Sequence, residues 1–337
     1  MKSKQNITIK DIAKHAGVSV STVSLVLRNS PLVADKTRLK VRQIMTDLDY
    51  VYDRSASSLR SQRSGVIALS INELSNPYFA RLASSVEQAF HHRDMTIFMS
   101  DVREDTIRQT QFIEKIREHK IDGLILCPVH NTDPVQLKKQ LDRAKLPCIL
   151  ISRNLNESGL DYVGYDHKKG IYLATKHLLE CGHKRISFIG SCKTTWVGNQ
   201  RLQGYKQAID EFNGTFNQDY IIEGELTRHA GIDMIKHALA LTPPPTAAVC
   251  ANDLVAFGVM LGLRRMGIEP GKNFAVTGND DIPEAALWLP DLTSVAADFD
   301  KMGEIAADML LQRLQDPDYP QQCVNVPIHL NIRASSR

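Results

Sequence analysis

The hydrophobic positions change rhythm once along the chain, and the change divides it in two. From Ile9 onward the apolar and small residues fall on Ile12, Ala13, Ala16, Val18, Val23 and Val26, a spacing that predicts two short helices with facing buried stripes. Gly17 lies between them, where a tight helix-to-helix turn needs a residue tolerant of positive φ. Ala13 is small where the second helix must cross, and Ser19 offers that helix an N-cap. A third helix is predicted from Asp35 to Leu48, with Leu39, Ile44 and Leu48 on its apolar stripe and Lys36, Arg38, Lys40 and Arg42 around it.

Beyond Gly65 the pattern becomes one of short β-branched or apolar runs separated by longer helical stretches. The runs are Val66 to Ile71, Thr96 to Met99, Leu124 to Cys127, Ile149 to Ile151, Ile186 to Ile189, Ala247 to Cys250 and Phe274 to Thr277. Strands alternating with helices predict an α/β body with parallel sheets. The body is large for a single core, and Gly159 to Asp166 reads as a crossover between two Rossmann-like halves around a cleft. Between head and body, residues 53–63 are polar and basic, with Leu59 the one prominent apolar residue.

Charge sharpens this division. Residues 1–64 carry 12 Lys and Arg against 5 Asp and Glu, net +7, while the rest carries 29 against 33, net −4. A basic three-helix head on an acidic body has the electrostatic footprint of a phosphate-backbone binder. The glycine and small-residue spacing then selects a DNA-reading helix-turn-helix over a helical bundle that binds nothing.

The six cysteines are scattered without metal-ligand spacing and read as small buried hydrophobes in a reducing compartment. No apolar run approaches the roughly 20 residues that span a bilayer, and no apolar signal core opens the chain, so a cytoplasmic protein without a membrane partner is expected. The chain offers no Gly-x-Gly-x-x-Gly, no phosphate-binding loop, no His-Glu-x-x-His and no nucleophile elbow. An enzyme therefore lacks a starting point, and neither cofactor nor metal is expected.

The run Ile9-Lys-Asp-Ile-Ala-Lys-His-Ala-Gly-Val-Ser-Val-Ser-Thr-Val-Ser resembles the opening of the LacI/GalR family of bacterial regulators, and the resemblance continues along nearly the whole chain. It implies a head over residues 1–52, a hinge helix over 53–63, and a bilobed body over 64–337 akin to periplasmic sugar-binding proteins. Lobe 1 would take about 64–163 and 296–325, and lobe 2 about 164–295 and 326–337. It also implies a repressor that binds a pseudo-palindromic double-stranded operator as a homodimer under the control of a small effector, a sugar or phosphosugar. The alternative is a soluble sugar-binding sensor without specific DNA recognition.

For the DNA surface the resemblance and the helical face together point to Thr8, Ser19, Val20, Ser21, Thr22, Ser24, Leu25 and Arg28, followed in the hinge by Arg54, Ala56, Ser57, Leu59 and Arg60. Leu59 matches a family leucine that wedges into the minor groove, where unstacking one base step is offset by the contact surface that a bend allows. Val20, Ser21 and Leu25 stand where long hydrogen-bonding side chains are common, which favours thymine methyls over bidentate guanine readout. Ala34 replaces the usual hydroxyl cap of the third helix. The run Val20 to Leu27 is most like regulators of maltose-type genes.

Polar residues that end strands mark a ligand cleft in doubly wound sheets. Several do so here, including Asn72, Asp101, Ser152-Arg153, Asp166, Asn252-Asp253 and Asn279-Asp280-Asp281. By resemblance Arg201, Asn252 and Asp280 hold the effector, with Ser152 standing where the family commonly has Asp before Arg153. Phe79 and the aromatic Trp196 complete the expected site, with a sugar face stacked on Trp196; Trp288 reads equally as core. The chain ends without a heptad tail, which predicts a dimer rather than a tetramer.

Overall fold

The computed structural model describes residues 7–27, 30–50, 63–191, 193–212 and 216–337. The chain forms two compact units, residues 1–64 and 65–337.

The first unit holds α1 (Ile9–Ala16), α2 (Val20–Leu27) and α3 (Asp35–Asp47). The Asp11 carboxylate accepts from the Thr8 amide at 2.9 Å and from the Thr8 hydroxyl at 2.6 Å, which fixes where α1 begins. Gly17 ends it at φ 65°, and a Cβ there would meet nothing within 4 Å, so glycine is needed for conformation rather than space. Ser19 Oγ accepts from the Thr22 amide at 3.0 Å and caps α2. Ile12, Ala13, Ala16, Val23, Val26, Val33 and Val41 are buried, with Val18, Ile44 and Leu48 half-buried against them. The stripe expected on α3 needs correction: Leu39 is 69% exposed and Val41 is fully buried. Val41, Ile44, Met45 and Leu48 share one helical face, whereas Leu39 lies two residues from Val41 and so on the other side.

The second unit is two doubly wound lobes. The first sheet runs in the order β2 (Thr96–Asp101), β1 (Val66–Ile71), β3 (Gly123–Leu126), β4 (Cys148–Ile151), β5 (Asp161–Tyr165), β11 (Cys323–Val326), all parallel. Helices α4 (Pro77–His91) and α11 (Phe299–Gln315) cover one face, α5 (Thr106–Glu118) and α6 (Pro134–Ala144) the other. The second sheet repeats the order as β7 (Ile221–Glu223), β6 (Ile186–Ser191), β8 (Ala247–Cys250), β9 (Ala275–Asn279), β10 (Thr293–Ala297), β12 (Ile328–Asn331). Only β12 is antiparallel there. Helices α7 (His167–Glu180) and α8 (Trp196–Glu211) lie on one face, α9 (Arg228–Ala240) and α10 (Asp253–Arg265) on the other.

The chain passes between lobes three times, at Asp166, Asp298 and Pro327. These points differ slightly from the divisions read in the sequence. Gly164 and Tyr165 still pair with Asn325 and Val326 in the first sheet, and Ala296 and Ala297 with His329 and Ile328 in the second. Gly159 to Asp166 is thus mostly strand β5, and the crossover is its last residue.

Cys127, Cys148 and Cys250 are buried as expected, but Cys181 and Cys323 are exposed. Cys181 follows the last turn of α7, and Cys323 opens an edge strand. Cys192 lies outside the described residues. Among the described residues no helix is long and apolar enough to cross a membrane.

Candidate functional sites: the head helix and the interlobe cavity

On the head, α2 turns Val23 and Val26 inward and leaves Val20 41% exposed. Ser21 is exposed beside it; Thr22, Ser24 and Leu25 are half-buried, and Leu25 leans on the head core. Thr8 and Ser19 are exposed, and both spend their hydroxyls on helix starts. Arg28 and the hinge residues Arg54, Ala56, Ser57, Leu59 and Arg60 lie outside the described residues. Ala34 precedes α3 without a side-chain cap, as an alanine must.

In the body a cavity of about 220 Å³ opens at the carboxyl ends of both sheets. Each sheet reverses its strand order there, between β1 and β3 and between β6 and β8, which is where doubly wound sheets leave a crevice. Phe79, Ser152 and Arg153 line it from the first lobe, Arg201, Asn252 and Asp280 from the second.

Arg201 projects from α8 and is 7% exposed; its Nη2 lies 3.7 Å from Asp280 Oδ1. That separation is an ion pair too long for a direct hydrogen bond. The buried Arg201 Nε has no hydrogen-bond partner among the described residues. Asp280 accepts from Asn279 Nδ2 at 2.7 Å and from the Tyr165 hydroxyl at 3.3 Å, and burial pushes its carboxyl up to about 6 against the pull of Arg201. Its backbone sits at φ 114°, and Ser152 at φ 68°. Side chains held in this region cost free energy and persist where the surroundings fix them, a pattern common at ligand sites.

Arg153 is held from behind. Its Nη1 and Nη2 donate to Glu104 at 2.9 and 2.6 Å, Nη1 also reaches Pro128 O at 3.2 Å, and the guanidinium lies 5.7 Å over the Phe79 ring. Asn252 accepts from the Val255 amide at 2.9 Å as the N-cap of α10 while its side chain faces the cavity. The other strand-end residues serve the fold. Asp253, fully buried, accepts from Ser294 Oγ and from the Ile282 amide; Asp166 caps α7; Asn72 donates to Pro128 O.

Trp196 does not line the cavity. As the first residue of α8 it packs edge-on at 5.8 Å against His167, which does line the cavity. Trp288 stacks on Phe257 at 4.4 Å within the second-lobe core.

Among the lining residues that escaped the sequence reading are three with polar rings. Tyr78, beside Phe79, bonds Ser152 Oγ at 2.6 Å. His130 follows β3, and its amide donates to Glu104 at 3.1 Å. His167 follows Asp166 immediately and is 3% exposed. Each stands within four residues of a strand end or helix start, the one signal that could have found them.

Residues 8–53 match the description "Bacterial regulatory proteins, lacI family", and residues 175–336 a periplasmic binding protein-like domain. The Ribose operon repressor of Haemophilus influenzae is 30% identical over 92% of this chain and 93% of its own length. The chain belongs to the LacI family. Another relative, the HTH-type transcriptional repressor PurR of Mannheimia succiniciproducens, is 29% identical over 97% of this chain and 98% of its own. A transcriptional regulator CelR–cellobiose complex aligns at a TM-score of 0.74 and 28% identity, covering 98% of this chain and 99% of that one. The lac repressor dimer bound to operator and the anti-inducer ONPF aligns at 0.84 and 23% over the same shares, a likeness of fold. These relatives of the LacI family are repressors rather than enzymes, so the chain is a regulator with a DNA-binding helix-turn-helix and a ligand-binding body. The maltose-type likeness of Val20 to Leu27 finds no counterpart among these names.

Proposed function

We propose that this LacI-family member is a cytoplasmic repressor that grips a pseudo-palindromic operator as a homodimer and responds to a sugar bound between its lobes. The observation that carries the effector reading is the Arg201–Asp280 pair, buried yet held at 3.7 Å on a cavity wall. A vicinal pair of hydroxyls both donates and accepts, so it satisfies the guanidinium and the carboxylate together. Asn252, Ser152 and Arg153 supply further polar contacts and Phe79 an apolar wall. At about 220 Å³ the cavity falls below the roughly 300–1,000 Å³ of drug-sized clefts, which suits one ring rather than two.

Both lobes line the cavity, so a ligand binds different lobe arrangements with different affinity and shifts their equilibrium. On the head, the exposed Val20 and Ser21 suit the major groove, with thymine methyls the natural partners of Val20. The homodimer draws support from edge strand β2, where Phe98 and Met99 are 45% and 42% exposed.

The test is a panel of monosaccharides titrated into the full-length protein, followed by operator binding with and without the sugar that binds. Arg201→Ala should remove sugar binding and the sugar's effect on the operator while leaving ligand-free operator affinity intact. Sugar binding that survives the substitution, or ligand-free operator binding that is lost with it, would overturn the assignment.

A further inference from the structure

The charges around the cavity bear on which kind of ring it holds, an inference that rests on the sugar reading above. Among the described residues the lining cations are Arg153 and Arg201. Each already has a carboxylate of its own, Glu104 for the first and Asp280 for the second. A third carboxylate, Glu225, is exposed on the wall. The lining imidazoles add no positive charge, because burial pulls His130 down to about 4 and His167 to about 3. Two guanidiniums therefore face three carboxylates.

Phosphate sites rely on unpaired arginine forks or on free amides at helix starts. Four helices begin at this cavity, and each spends a first-turn amide on its own cap. Asn76 accepts from Tyr78, Asp166 from Lys169, Thr195 from Gly198 and Asn252 from Val255, at 3.1, 2.8, 3.0 and 2.9 Å. The cap of α7 is itself an acid. A phosphate ester would bring about −1.5 to −2 charges into surroundings whose lining guanidiniums, among the described residues, are both already paired with carboxylates, and a buried unpaired anion is costly.

We infer that the cavity selects an uncharged polyhydroxy ring and rejects the same ring carrying a phosphate or carboxylate. The charge of Arg153 is then answered by Glu104, and Arg201 with Asp280 contacts the hydroxyls.

The test compares matched pairs by calorimetry on the full-length protein: ribose with ribose 5-phosphate, glucose with glucose 6-phosphate and with gluconate. At least one neutral sugar should bind in an Arg201-dependent way, and its charged derivative should bind at least about tenfold more weakly, a difference of roughly 1.4 kcal/mol. Glu104→Gln should narrow that gap and let inorganic phosphate raise the thermal midpoint, which it should not do for the wild type. Should Glu104→Gln fail to fold, Glu225→Gln, on an exposed side chain, carries the same comparison. A phosphate ester that binds Arg201-dependently and at least as tightly as its parent overturns the selection while leaving the sugar site standing. A panel with no Arg201-dependent binder overturns the sugar reading, and the selection falls with it.

Discussion

His167 Nε2 lies 3.0 Å from the carbonyl oxygen of Ser152, a hydrogen bond from the start of the second lobe back to the first. A carbonyl only accepts, so Nε2 carries the hydrogen and the buried Nδ1, which has no partner among the described residues, is bare. The imidazole is packed 4.2 Å from Tyr165 and backed by Trp196.

This fixes a pH dependence. Burial holds His167 at about 3 in the folded state against an ordinary 6.5, so between those values the unfolded chain binds a proton that the native protein does not. The stability from the neutral ring is complete above 6.5 and declines as pH falls towards 3, by up to about 1.4 kcal/mol per unit. Asp280 works oppositely: raised to about 6 from 3.8, it takes up a proton on folding and offsets part of the loss in that window. Urea midpoints measured from about pH 4 to 6 should fall less steeply for His167→Gln and more steeply for Asp280→Asn. An imidazole signal of His167 that titrates near 6.5 in nitrogen-resolved NMR would contradict the His167→Gln slope, and an Asp280 carboxyl that titrates near 3.8 the Asp280→Asn slope.

Gly204 is a second point of leverage. A Cβ on it would stand 2.0 Å from the Lys168 carbonyl oxygen, backbone that cannot swing away, so α7 and α8 would have to separate. Gly204→Ala should cost about 1–3 kcal/mol or more, read as a lower thermal midpoint. It should also weaken ligand binding, because Arg201 is one turn earlier on the same helix. Gly258→Ala, with 2.1 Å to the Arg228 carbonyl between α9 and α10, should cost as much without the loss of ligand. Equal ligand affinity in the two variants would break the link between Gly204 and Arg201.

The corrected face of α3 makes a third comparison. Val41→Ala removes two buried methyl groups and should destabilise the head by about 2 kcal/mol, seen as faster hydrogen exchange of α1 to α3 amides in the full chain. Leu39→Gln should change exchange by no more than about 0.5 kcal/mol. A larger effect at Leu39 would overturn this assignment of the buried face of α3.

Much of this was legible in the sequence, for physical reasons that differ by region. The head was readable because its demands are local: Gly17 must adopt positive φ, Ala13 must be small, and both are visible in the spacing. The strands from Val66, Ile186 and Ala247 were readable because buried parallel strands are continuous apolar runs, and edge strand β2, whose Phe98 and Met99 are exposed, from its β-branched and apolar composition. Strand β5 was not, since Asp161 and Gly164 interrupt it; Asp161 is retained inside because Arg313 donates to it at 3.0 and 2.9 Å from a helix 150 residues away in the chain. Leu39 misled because an apolar residue on a short helix was counted by type and not by angle. At the cavity, Arg201 and Asp280 come together; Asp280 was marked by its place at a strand end, Arg201 only by the family resemblance. His167 and His130 went unseen because a place near a helix start or strand end is shared by many residues and does not by itself mark which of them a cavity gathers.

The three crossings between the lobes are each a single residue long, and in both sheets the strands that lead into them are neighbours at one edge. Asp166 and Asp298 are pinned as caps of the helices they precede, and the ring of Pro327 fixes its φ. The freedom left to the joint is therefore a handful of coupled backbone torsions rather than slack chain. Any rotation of one lobe on the other must be written into those torsions together, and that makes the joint a selector among discrete angles.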